Sequence, residues 1–328
     1  MKRILITGGT GFIGSHLAEK LVENNNKVTV FDRYNPDYNL GNLKNSKYKN
    51  KINFIFGDIR DFDSTNKAIQ KNDIIIHLAA LIGIPYSYYS PQAYIKTNLE
   101  GTYNVLESVK NNNKKKLIVT STSEVYGSAD YIPIDEKHPL KPQSPYSASK
   151  IAADNLALSY YNSYNLPVIV LRPFNTFGPR QSERAIIPTI INQILRTKNN
   201  TISLGNLYPR REFNYVEDIC EAYVKTLKTK KFGEVFNIGN SHEISIYELV
   251  KLISKLMNKK IKIKRSKIRF RAKKSEVDLL KSDNRKIKKV INWKPKLQGR
   301  KGLIEGIKKT IKWSLSNTNK DVQDKYII

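Results

Sequence analysis

Apolar and polar positions alternate along this chain in two rhythms. RILITGG, KVTVFDRY, INFIFGDI, NDIIIHLAA, KLIVTSTS and PVIVLRPFN are short apolar runs that read as strands. GSHLAEKLVEN, NLEGTYNVLESVKNN and SPYSASKIAADNLALSYYNSYN lie between them, with apolar residues at helical spacing. Strands and helices taking turns in this way predict a parallel, doubly wound α/β sheet. The second half is less regular. AIIPTIINQILRTK and EDICEAYVKTLKT read as helices and EVFNIGN as a strand, the last two being expected to return to the first sheet. SIYELVKLISKLM has helical spacing, with Ser245 as N-cap and Glu248 three residues later. The expected division is a sheet domain (1–175 with 215–238) and a smaller α/β lobe in two separated pieces (176–214 and 239–328). No repeat at a fixed period is visible.

Composition narrows the class. The 328 residues suffice for one large domain or two medium ones. No run of 18 or more apolar residues occurs, so no spanning helix and no membrane partner is expected. MKRILITGG leads straight into a strand, so no signal peptide is expected. Cys220 is the single cysteine, which excludes a disulfide within the chain and suits a reducing, cytoplasmic setting. The formal charge of +28 raises the question of nucleic acid. The lysines are spread over the whole chain, and no finger or basic-zipper motif is present, so no nucleic-acid partner is expected. The densest cluster, Lys259 to Glu276, alternates apolar and basic residues and reads as a half-buried strand with a solvated face. The four histidines (His16, His77, His138, His242) are scattered, and no set of ligands has metal spacing, so no metal is expected.

ITGGTGFIGSH places Gly8, Gly11 and Gly14 between a strand and a helix. Glycines there let a turn tighten and let a pyrophosphate approach the helix N-terminus. Asp32 closes the second strand, 18 residues after Gly14, where a carboxylate can accept from the ribose hydroxyls and repel a 2′-phosphate. This Rossmann pattern predicts NAD rather than NADP as cofactor, although Arg33 next door could meet a phosphate. Asp58 and Ile59 end the third strand and are expected to flank the adenine. Phe12 and Ile13 within the glycine motif, and Ala79 after the fourth strand, complete the expected cofactor surface.

Tyr146 and Lys150 are four apart on an expected helix and share a face. An ammonium beside a phenol, near a nicotinamide, is expected to lower the phenol pKa toward working pH. The phenolate can then take a sugar hydroxyl proton while hydride leaves the same carbon. Upstream, TSTSEVYG sets Thr122, Ser123 and Glu124 side by side.

GGTGFIGSHL, GDIRD, IIHLAA, TNLEGTYNVLE, STSEVYG, SPYSASK, LRPFNTFGPRQ, REFNYVED and FNIGN together resemble the extended short-chain dehydrogenase/reductases acting on nucleotide sugars, from Lys2 to about Trp313. The resemblance implies that Thr122 binds the substrate O4, Tyr146 is the base and Lys150 its partner. It also implies that Asn175 and Arg211 hold the diphosphate and that Arg271 belongs to the nucleotide pocket. Ala272 stands where that pocket motif usually has Pro. Arg180, in GPRQ, is counted on the substrate side. The stretch Ile82 to Tyr86, with Ile84 and Tyr86, is expected against the hexose. The long helices around TNLEGTYNVLESV and SPYSASKIAADNLALSYY resemble a pair that forms a four-helix dimer contact, so a homodimer is expected.

Simple 4-epimerases of this kind need no carboxylate after the Thr. A 4-keto group acidifies the C5 proton, and Glu124 is placed to take it. Loss of the C6 hydroxyl as water, followed by hydride return to C6, is a 4,6-dehydration. The dTDP-glucose dehydratases resemble TDEVYG, with an Asp as acid for the departing hydroxyl; Ser123 stands there instead, leaving Glu124 to serve both purposes. GDP-mannose dehydratases, and the oxidative decarboxylases that act on UDP-glucuronate, also look like TSE. SEVDLL is similar to the nucleotide-pocket segment of GDP-mannose dehydratases. ALIGIPYSYYSPQAYIKTN and RPFNTFGPRQSERAIIPTIINQIL resemble the N-acetylglucosamine-nucleotide 4,6-dehydratases of legionaminic-acid-type pathways. The expected reaction is therefore 4,6-dehydration of UDP- or GDP-N-acetylglucosamine, with oxidative decarboxylation and 4-epimerisation as alternatives.

Overall fold

A computed structural model describes residues 1–113 and 115–317. Fourteen strands are present among them. The first six are β1 (Arg3–Thr7), β2 (Lys27–Arg33), β3 (Ile52–Gly57), β4 (Ile74–His77), β5 (Lys116–Thr120) and β6 (Val168–Pro173). Then come β7 (Thr176–Phe177), β8 (Thr201–Leu204), β9 (Arg210–Glu212), β10 (Asn214–Tyr215), β11 (Glu234–Ile238), β12 (Glu243–Ser245), β13 (Lys262–Arg265) and β14 (Leu279–Leu280). The helices are α1 (Phe12–Glu23), α2 (Phe62–Gln70), α3 (Ile84–Tyr89), α4 (Pro91–Tyr94), α5 (Gly101–Asn111) and α6 (Pro145–Tyr164). They continue with α7 (Ile186–Arg196), α8 (Val216–Thr226), α9 (Ile246–Leu256), α10 (Arg285–Ile291) and α11 (Gly299–Asn317).

Seven strands pair in the order β11-β6-β5-β4-β1-β2-β3, all parallel, which is the doubly wound Rossmann-like sheet. Successive side chains on a strand point to opposite faces. Ile4, Ile6, Val28, Val30, Ile74 and Ile76 accordingly pack on Leu17, Leu21, Ile219 and Tyr223 of α1 and α8. Leu5, Phe31, Ile75, Leu117 and Val119 face the other way, onto α2, α5 and α6 through Ile69, Val105, Leu106, Val109 and Ala157. The strand order reverses between β1 and β4, so a crevice opens at their carboxyl ends, beside the glycine-rich turn.

Three small sheets, β12-β9-β14, β13-β8 and β10-β7, lie outside the seven-stranded one. A separate core gathers Ile187, Ile190 and Ile191 of α7, Leu249 and Ile253 of α9, and Ile307 of α11 around Phe177 and Tyr215. Ser245 and Glu248 form a reciprocal capping box at the start of α9.

Two elements differ from their sequence patterns. The basic stretch 259–276 is a strand only over Lys262–Arg265, and single turns of 3-10 helix follow. The chain there crosses close over Gly205, where a Cβ would stand 2.3 Å from the Arg269 carbonyl oxygen; this crossing replaces further pairing. The helix expected over NLEGTYNVLESVKNN is preceded by a π-helical turn, Ile95–Glu100. Residues 318–328, which the sequence pattern assigned to the lobe, lie outside the described residues. Among the described residues no helix is long and apolar enough to cross a membrane.

Candidate active site

The cofactor end is built by backbone approach. Gly8 has φ +70°, and a Cβ on it would stand 2.9 Å from the backbone of Ala79. A Cβ on Gly14 would stand 2.3 Å from the Gly8 carbonyl oxygen, so turn and helix can close only on glycine. Gly11 is the N-cap of α1 and supplies no side-chain acceptor, and the first turn of α1 has no acidic residue. Its N–H groups and dipole thus face the crevice as an anion site, which fits a dinucleotide pyrophosphate. Phe12 and Ile13 sit half-buried in that first turn. Asp32 stands at the end of β2, its Oδ2 accepting from the Thr10 N–H (2.9 Å) and hydroxyl (2.5 Å). Arg33, beside it, is exposed. Asp58 is held by Arg60, whose Nε lies 3.0 Å from each carboxylate oxygen, and this pairing lowers the Asp58 pKa. Ile59 is buried against Gly101, and its carbonyl accepts from the Asn104 amide at 2.9 Å.

The reacting end lies where β5 stops. Thr122 caps the short turn Ser123–Tyr126, its hydroxyl accepting the Glu124 N–H at 3.2 Å. Ser123 is buried and offers only a hydroxyl. Tyr146 enters from the first turn of α6, where Pro145 and a capping box between Ser144 and Ser147 set the helix start. Its phenol hydrogen-bonds Thr122 and lies close enough to feel the Glu124 charge. Lys150, one turn on, donates from Nζ to the Thr120 carbonyl at 2.6 Å. Asp154, a further turn on, is paired with Arg172 (2.9 Å) and accepts from the Ser121 hydroxyl (2.7 Å).

The pocket by itself works against the phenolate. The Tyr146 pKa is raised, not lowered: burial dominates, Glu124 and Tyr94 add to it, and the Thr122 hydrogen bond opposes. Lys150 is itself pushed down by burial, partly offset by Asp154, and its ammonium is spent on a carbonyl. The buried pocket alone therefore keeps the phenol protonated. His77, between the Thr7 and Thr102 hydroxyls (2.7 and 3.1 Å), is pulled by burial to about 3 and stays neutral.

Three residues escaped the sequence reading. Asn98, in the π-helical turn, accepts the Leu81 N–H (2.8 Å) and donates to the Leu81 carbonyl and the Ser149 hydroxyl (both 3.0 Å). It locks the loop after β4 to α6, as π-turns at functional sites often do. Tyr94 donates to the Gly83 carbonyl at 2.5 Å and sets its ring edge-on to Tyr146. Glu276 lies inside the SEVDLL segment and faces two arginines.

On the substrate side, Ile84 packs with Tyr94 and Tyr146, while Tyr86 is partly exposed beside Tyr94 and Ile82 is 69% exposed. The Asn175 Nδ2 is buried and makes no hydrogen bond among the described residues. Arg211 is buried, which lowers its pKa; it donates to the Arg210 carbonyl (3.0 Å) and to Glu276 (3.3 Å). The Arg271 Nη1 stands 3.7 Å from a Glu124 oxygen and 3.9 Å from one of Glu276. Arg180, counted on the substrate side, has its guanidinium on Glu19 of α1 through two hydrogen bonds (2.9 and 3.1 Å), which tie the segment after β7 to α1.

Beside Arg211, Glu212 is fully buried and makes no ion pair among the described residues. It accepts from the Ser282 N–H (2.7 Å), the Ser282 hydroxyl (2.9 Å) and the Asn240 N–H (2.5 Å). Burial raises its pKa to about 7. A carboxyl raised in the folded state favours folding when protonated, so this contribution is complete below the unfolded value of 4.5 and disappears as pH rises through about 7. The expected loss is up to about 3 kcal/mol. Melting temperatures taken across that pH range should fall, and Glu212→Gln should flatten the fall. An unchanged slope in the variant would place the titration elsewhere.

A glycine-bound dinucleotide cradle, a Tyr–Lys helix and a Thr at the end of β5 define a short-chain dehydrogenase/reductase site. Residues 5–306 match the family described as GDP-mannose 4,6 dehydratase, and the chain belongs to that NAD-dependent epimerase/dehydratase family. It is 39% identical to a dTDP-D-glucose 4,6-dehydratase of Dictyostelium discoideum over 77% of its own length and 62% of that protein's. The structure is similar to DesIV, a dTDP-glucose 4,6-dehydratase of Streptomyces venezuelae crystallised with NAD (TM-score 0.86, 28% identity, 96% and 97% of the two chains). It is equally similar to a UDP-glucuronic acid 4-epimerase of Bacillus cereus crystallised with UDP-glucuronic acid and NAD (TM-score 0.86, 30% identity, 96% and 99%).

Proposed function

We propose that the protein is an NAD-dependent 4,6-dehydratase of a nucleoside-diphosphate sugar. The observation that carries this reading is the convergence of Glu124 with Thr122 and Tyr146 at one point of the crevice. NAD in the glycine cradle would supply a hydride acceptor for C4 and a donor to C6. Thr122 orients the C4 hydroxyl, and Tyr146 takes its proton. Glu124 removes the C5 proton and delivers a proton to the departing C6 hydroxyl, which leaves as water. The proton taken from O4 balances the one restored at C5. Asn175 and Arg211, with an unpaired amide and a buried cation, suit the diphosphate. Tyr86 and Ile84 line the hexose side.

The sugar is proposed to be N-acetylglucosamine on UDP or GDP, on the resemblance of the segments around Ile82–Tyr86 and Arg172–Leu195. Incubation with NAD and each of these nucleotides, and with dTDP-glucose, tests both levels. Loss of one water supports dehydration, and unchanged mass with a new sugar would establish epimerisation instead. Ser123 favours keeping that second reading, since it brings no carboxylic acid. Loss of carbon dioxide from UDP-glucuronate would mark the decarboxylase.

A homodimer through α5 and α6 is also proposed. Ile95, just before α5, Tyr103 of α5 and Tyr164 of α6 are each nearly half exposed, leaving large apolar groups for a partner to cover. Gel filtration should show a dimer, and Tyr103→Lys should shift it toward monomer. A wild-type chain running only as monomer would remove this proposal.

A further inference from the structure

Glu124, the base of the proposed reaction, does not stand alone. Its carboxylate faces Arg271, which also faces Glu276, which in turn accepts from Arg211. Two arginines and two carboxylates thus form one alternating chain of charge beside the reacting end. The link is a poor resting place for Arg271. Its Nη1 is buried, yet it makes no hydrogen bond among the described residues; both carboxylates stand beyond hydrogen-bond reach, at 3.7 and 3.9 Å. A guanidinium in that condition gains from any acceptor that can come closer, and a diphosphate offers several in matching geometry.

We propose that Arg271 is a positioning residue that exchanges Glu124 for the diphosphate of the incoming nucleotide, so that occupancy of the nucleotide site releases the carboxylate toward the sugar. This deepens the dehydratase reading and rests on it for the role of Glu124. Before a nucleotide binds, the guanidinium pairs with the Glu124 carboxylate. When a nucleoside diphosphate binds, the guanidinium turns to the phosphate oxygens and the carboxylate loses that partner, keeping only the charge of the buried Arg211 nearby. Part of the diphosphate's binding energy is thereby used to assemble the site, and a sugar lacking the diphosphate cannot do so. The segment that carries Arg271 is anchored on both sides of the crevice. Tyr88 of α3 hydrogen-bonds Ser275 at 2.6 Å, and the Gln143 amide donates to the Lys274 carbonyl at 2.9 Å. Only the side chains of Arg271 and Glu124 have to move.

If Glu124 and the diphosphate compete for one guanidinium, neutralising Glu124 must tighten diphosphate binding, and only while Arg271 is present. The test is a double-mutant cycle read by calorimetric titration of the NAD-loaded enzyme with UDP, GDP and dTDP. Glu124→Gln should bind the preferred diphosphate about three- to fivefold more tightly than wild type. In an Arg271→Met background the same change should have no effect, and in an Arg271→Lys background part of the effect should return. Unaltered affinity in Glu124→Gln, or equal tightening with and without Arg271, overturns the proposal, the latter because it shows general repulsion rather than exchange. NAD titration of each variant confirms that the fold is intact. No turnover is measured, so failure here is separate from failure of the dehydratase reading, which the product mass decides.

Discussion

Glu124→Gln is expected to leave C4 oxidation running and to stop the loss of water. Glutamine keeps the shape of the side chain, so the Thr122 cap and the turn Ser123–Tyr126 should persist. It cannot accept the C5 proton or protonate the leaving hydroxyl. Removing a positioned general base costs about 10²- to 10⁴-fold. Reduced nicotinamide should therefore build up on the enzyme, visible as its near-ultraviolet absorbance, instead of being consumed within each cycle. The mass of the sugar nucleotide should fall by two hydrogens at most, never by a water. Dehydration at the wild-type rate would remove Glu124 from the mechanism, and Ser123 would be the next group to examine.

Tyr146→Phe should slow the first hydride transfer by a comparable factor, about 10²- to 10⁴-fold. The ring stays packed with Ile84 and Tyr94, so the variant should fold, losing only the phenol and its bond to Thr122. The direction of the Tyr146 pKa adds a pH signature. Burial raises it, so at neutral pH the proton sits on the phenol. The basic form needed to accept the O4 proton grows as pH rises, and the single-turnover rate of C4 oxidation should climb with it. Neither Lys150, drawn onto the Thr120 carbonyl, nor any other cation found beside the phenol offsets the burial. NAD held in the glycine cradle would supply that missing charge through its positive nicotinamide. A first hydride transfer unaffected by Tyr146→Phe, or independent of pH, would show another base at work.

Much of this site is legible in order along the chain because its parts are local. Gly8 and Gly14 announce themselves, since only glycine allows the backbone approaches of 2.9 and 2.3 Å found there. Tyr146 and Lys150 fall on one face of α6 because a helix returns every four residues. Thr122 and Glu124 belong to one turn. Helices and strands follow from apolar periodicity, and so does the choice of sheet face, Ile4 and Ile6 against Leu5. The spread of lysines, by contrast, carries no pointer to the site.

What lay beyond the sequence is whatever depends on two distant segments meeting. Arg180 reads as a substrate ligand beside Asn175, yet Glu19 is 161 residues away along the chain and only 2.9 Å away in space. Asn98 gains its purpose from a π-helical turn that brings it onto Leu81 and Ser149, and no propensity marks that turn. The basic stretch after Lys259 stops being a strand where it must pass over Gly205. The rise in the Tyr146 pKa is a property of the pocket that encloses it, not of the Lys four residues on. Periodicity and glycine spacing are near-neighbour effects, so the amino-acid order by itself determined the sheet, the cofactor turn and the Tyr–Lys helix. Pairing of Arg271 with Glu124, burial of Glu212 and the bonding of Arg180 to Glu19 depend on long-range packing and local dielectric, and only the tertiary structure decided them.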